Sequence, residues 1–96
     1  MNKELFIEKY QKLNVSKVDT TLYMKTIIDF EEFASKDIKD TNISDIKNYF
    51  IHLIDTNRNT YGNVIHFARY YYYIDKKEEY IHMTKYFNSL GVLENI

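Results

Sequence analysis

The stretch SDIKNYFIHLID, residues 44–55, carries the clearest structural signal in the chain. Ile46, Tyr49, Phe50, Leu53 and Ile54 stand at i, i+3, i+4, i+7 and i+8, the spacing of one apolar helical face. Ser44 is placed to cap this helix, and Asp45 suits the positive end of its dipole. The polar run TNRN, residues 56–59, ends it.

The same period recurs on both sides. Upstream, Tyr23, Ile27, Phe30 and Ala34 follow i, i+4, i+7, i+11 and predict a helix over about residues 20–35, its face widened by Phe33. Before it, Phe6, Tyr10 and Leu13 share a stripe that predicts a helix over about residues 2–14. The run NVSKVDTT breaks that pattern and supplies capping residues, and KDIKDTN, residues 36–42, is a polar connection. Downstream, Thr60 caps a predicted helix over residues 60–74 with Tyr61, Ile65, Ala68, Tyr71 and Tyr72 inward. A fifth, residues 76–90, points Tyr80, Met83, Phe87 and Leu90 inward and stops at Gly91, a residue suited to a helix C-cap. The expected architecture is an all-α compact bundle of four to five helices.

Composition agrees. Ninety-six residues make one small domain, and 45% hydrophobic residues are enough for a core. There is no proline and there are two glycines, so glycine-rich phosphate loops are absent. There is no cysteine, which excludes thiolate zinc sites, disulfides and a cysteine nucleophile. The opening MNKELFIEKY has scattered charges and is neither a signal peptide nor a membrane span, so a cytoplasmic location is the default expectation. The closing VLENI ends on an apolar residue, and the chain reads as the N-terminal part of a longer protein. Thirteen basic against fourteen acidic residues give a formal charge of -1, which argues against a surface that is basic as a whole.

The run HFARYYYYID, residues 66–75, poses the functional question. A helix turns about 100° per residue, so four consecutive tyrosines cannot share one face. The expected division puts Tyr71 and Tyr72 in the core. Tyr70 and Tyr73 then lie outside, in line with Asn59, Asn63 and His66 and beside Arg69. That outer stripe has three readings. It is a nucleic-acid surface anchored by Arg69, a protein interface, or packing of the tyrosines over neighbouring helices.

Other constellations carry less. His52, His66 and His82 fall on three predicted helices with no HxxxH pair, so no metal site is expected. The carboxylates of FEEF (Glu31, Glu32) and KKEE (Glu78, Glu79) diverge by about 100° on a helix and read as solvated faces. No catalytic constellation is recognisable, and no cofactor is implied.

The order of these motifs resembles the N-terminal core-binding domain of tyrosine recombinases, the phage-integrase SAM-like domain. Tyr23, Ile27 and Phe30 match the family's Tyr–aliphatic–Phe first helix. Ser44, Ile46, Tyr49 and Leu53 match a capped helix of the type dI..yl..l, and Ala68, Arg69, Tyr71 and Tyr72 match lR.fy.y. The resemblance covers residues 19–75 and leaves 76–90 as an extra helix. It implies a SAM-like fold and a double-stranded-DNA-binding module of an integrase-like protein. In that family the catalytic Arg, His and Tyr belong to a separate C-terminal domain, so this part is not an enzyme by itself. The DNA contacts expected from it are Lys25, Arg58, Asn63, His66, Arg69, Tyr70 and Tyr73. Asn63, Val64, Asp29 and Glu32 occupy places where the family tends to carry basic residues. The near-neutral charge supports the alternative, a diverged helical scaffold or protein–protein interaction domain that does not bind DNA.

Overall fold

A computed structural model describes residues 1–56 and 64–89. These form five α-helices with no strand among the described residues: α1 Lys3–Lys12, α2 Lys17–Ala34, α3 Ile43–Asp55, α4 Val64–Tyr73 and α5 Lys77–Ser89, with a 3-10 turn at Ile38–Asp40. The long α2 packs on α1, α3 and α4, while α4 pairs with α5 and α5 reaches back to α3.

Local chemistry sets the helix ends. Asn2, Ser16 and Asn42 cap α1, α2 and α3, each side-chain oxygen accepting from a backbone N–H of the first turn. Asn42 and Asp45 form a reciprocal capping box, so the cap lies two residues before the expected Ser44. Ser16 starts α2 three residues after Leu13, and most of the expected break is helix. Asn14, Ser35 and Asp75 take the left-handed conformation that ends α1, α2 and α4, positions glycine commonly fills. The cap expected at Thr60 and the stop expected at Gly91 lie outside the described residues.

The core is aromatic. Phe6 stacks on Tyr10 with ring centroids 4.2 Å apart, and Phe30 meets Phe67 edge-on at 5.3 Å. Ile27, Ile46, Tyr49, Phe50 and Leu53 are buried as their spacing requires, Phe33 packs at the rim of the core on Tyr49 and His52, and Ile54 is largely exposed. Ile38, in the segment expected to be a polar connection, is fully buried.

Buried phenols need partners, and each has one. Tyr49 Oη donates to Asp29 at 2.6 Å. Thr41 Oγ1 donates to the Ile38 carbonyl, so Tyr71 must donate to Thr41. Tyr70 Oη accepts from the Asn2 N–H at 2.6 Å and ties the start of α1 to α4. Glu31 is not a solvated carboxylate. Its Oε2 accepts from the Ile38 N–H at 2.9 Å and from the Met1 ammonium at 2.8 Å. Asp37 is the second partner of that ammonium at 2.9 Å. The Lys39 N–H and then the ammonium hold the Asp37 carboxyl below the usual range.

Candidate functional site on α4

The structure turns α4 away from its expected orientation. His66, Phe67, Ala68, Tyr70 and Tyr71 are buried, while Tyr72 is 60% exposed. His66 and Tyr70 therefore do not lie on an outer stripe, and Tyr72 does not close the core. The buried arc is rotated by roughly a third of a turn, at about 100° per residue, from the arc centred on Ile65, Ala68 and Tyr72. The cause is α1 together with α2. Tyr70 meets Phe6 at 6.2 Å, and His66 stacks on Tyr23 at 3.7 Å. A histidine counted as polar hides an inward position in the sequence pattern.

The other expected contacts scatter. Lys25 is exposed, two residues from the buried Ile27 and so on the far side of α2. Arg58 and Asn63 lie outside the described residues. Arg69 and Tyr73 remain half-buried at the surface of α4.

Arg69 lies against a buried polar pair. The Tyr10 hydroxyl is hydrogen-bonded to His66 Nδ1 at 2.5 Å, the donor being set by the His66 tautomer, and the Arg69 guanidinium carbon lies 5.9 Å from the Tyr10 ring centre. Burial pushes the Tyr10 phenol up to about 12, against the pull of Arg69. Burial, then the Arg69 charge, pushes His66 down to about 4. His66 is therefore neutral at pH 7.

Around Arg69 the surface is cationic and aromatic. Its guanidinium carbon lies 5.9 Å from the Tyr10 ring centre, and Lys9 Nζ lies 5.7 Å from that of Tyr73. No carboxylate among the described residues pairs with either cation. Beside Arg69 opens a cleft of about 240 Å³ between α4 and α5, lined by Ala68, Arg69, Tyr72, Tyr73 and Tyr80. Lys9 and Tyr80 had no signal in the sequence, because they come from helices whose approach to α4 is tertiary. Tyr80, expected inward, is half-buried against the core and also forms a wall of this cleft.

A second cavity, about 270 Å³, lies between α1 and α2 and includes Ile7, Val15 and Met24. Nearby in sequence, Leu13, Val18 and Leu22 are exposed. Among the described residues no group of three His, Asp or Glu side chains could hold a metal ion, and no helix is long and apolar enough to cross a membrane. The chain matches no family model, no curated protein and no solved structure.

Proposed function

We propose that this domain is a double-stranded-DNA-binding module of the integrase core-binding kind, non-catalytic by itself, that engages the backbone through Arg69 and Lys9. The observation that carries the reading is the pairing of these cations with phenols instead of carboxylates. In a chain with a formal charge of -1, neutralisation by a neighbouring carboxylate is the easy outcome. Arg69 instead lies beside the neutral Tyr10 ring and keeps its charge for an outside anion. Tyr73 has Lys9 5.7 Å from its ring centre and stands one turn after Arg69 on α4, placed to pack on a sugar. The motif order of residues 19–75 supports the same reading. Of the contacts expected from the resemblance, Arg69 and Tyr73 stay in the site, and Lys9 joins them.

Titration of labelled duplex at increasing salt tests this. Binding through these cations falls steeply with salt, and the double variant Lys9→Ala/Arg69→Gln lowers the slope of log K against log salt by about 1.8, at about 0.9 per phosphate contact. Unchanged slope and affinity in the folded double variant would remove the site, and absence of binding at low salt would remove the function. A second reading, a protein-interaction scaffold, draws on the exposed Leu13, Val18 and Leu22 around α1 and α2. It predicts no DNA affinity and full tolerance of the double variant.

A further inference from the structure

The cleft between α4 and α5 is more than a stretch of phosphate-binding surface. Tyr72 is 60% exposed, an unusual exposure for a large aromatic flanked by two others. Its ring lies 5.5 Å from Tyr80 at 57° and 6.4 Å from Tyr73 at 69°. Tyr72 thus meets its two neighbours edge to face or tilted, and neither covers its face by parallel stacking. The open cleft that the three line with Ala68 measures about 240 Å³. A cavity of about 150 Å³ takes one benzene ring, so this cleft has room for one planar base. Arg69 stands on the same wall with no carboxylate among the described residues to neutralise it.

We infer that this cleft receives one unpaired nucleobase of the bound DNA, stacked on Tyr72 and Tyr80, with the phosphate of that nucleotide on Arg69. The chemistry selects a nucleotide over other flat ligands. Phenol faces accept any base through its π surface, and a guanidinium beside them fits the single charge that each nucleotide carries. A proline-rich peptide would also lie on exposed tyrosines, but its neutral backbone makes no use of an uncompensated cation. Ala68, small and buried at the base of the cleft, leaves the space that a larger side chain would fill. The inference rests on the DNA reading above and deepens it. The domain would favour DNA that presents a base outside the stack, as at a bulge or a strand end.

Fluorescence anisotropy with two labelled duplexes tests it, one fully paired and one carrying a single bulged thymine, at the same salt. The bulged duplex should bind roughly tenfold more tightly, the size of one base–aromatic stack. Tyr72→Ala should abolish that difference and leave the affinity for the paired duplex unchanged. Tyr72 is exposed, so the variant keeps its fold, and circular dichroism verifies this. Tyr80→Phe, which keeps the ring, should retain the preference. Equal binding of the two duplexes by the unaltered protein, or an equal loss on both in Tyr72→Ala, would overturn the base cleft while leaving DNA binding in place. Failure to bind either duplex at low salt would overturn both.

Discussion

Lowering the pH should unfold this domain through His66. The imidazole is 5% exposed, stacked on Tyr23 from α2, bonded to Tyr10 from α1 and faced by Arg69 on its own helix. Protonation would bury a charge and place a second cation beside Arg69. Its folded value of about 4 lies below the ordinary 6.5. The unfolded chain therefore binds the extra proton first, and stability is full above pH 6.5 and is lost as pH falls toward 4. The gap of about 2.5 pH units corresponds to about 3 kcal/mol at about 1.4 kcal/mol per unit, and most of it is already lost by pH 4.5. Against a total stability of about 5–15 kcal/mol this is a large share. Urea unfolding followed by circular dichroism at pH 7.5, 6 and 4.5 measures it. His66→Gln keeps a polar partner for Tyr10, able to donate or accept, but cannot titrate. It should be less stable than the unaltered protein at pH 7.5 and lose about 3 kcal/mol less on acidification. Carboxylates such as Asp37, also depressed, add the same acid loss to both proteins and cancel in the difference. An imidazole resonance for His66 titrating near 6.5, or equal acid losses in the two proteins, would refute the reasoning.

Three other substitutions test the packing. Tyr70→Ala should cost about 3–5 kcal/mol in urea unfolding because Tyr70 is buried, and Tyr72→Ala less than about 1 kcal/mol. The reverse order would restore the orientation of α4 expected from its apolar stripe. Glu31→Ala removes the acceptor of the Ile38 N–H and a partner of the Met1 ammonium, and should lower stability by about 2 kcal/mol. Glu32→Ala, at the exposed neighbouring position, should stay within about 0.5 kcal/mol, and equal effects would refute the pairing. Ser35→Gly relieves the left-handed backbone at the end of α2 and should add about 0.5 kcal/mol, read as a raised Tm. A lower Tm would show that the backbone there is unstrained.

The helical character of this chain was legible residue by residue. Ile46, Tyr49, Phe50 and Leu53 repeat at the helical period and are buried together, and Phe6, Tyr10, Ile27 and Phe30 likewise. Periodicity reports which side of a helix avoids water, and it needs no knowledge of the neighbours. It could not orient α4, where Tyr70 to Tyr73 supply apolar surface all the way round. There the choice went to Phe6, Tyr10 and Tyr23, which come from other helices and accept His66 and Tyr70 against their rings. Nor could it find the partners of Glu31 and His66, since a bond from Met1 to Glu31 spans thirty residues and one from Tyr10 to His66 fifty-six. The sequence by itself determined that the chain is helical and where most helices begin and end, because those depend on neighbours within one turn. The tertiary structure alone decided that His66 and Tyr70 face inward, that Tyr72 faces out and that Lys9 joins Arg69 at the surface, because those depend on which helices pack together.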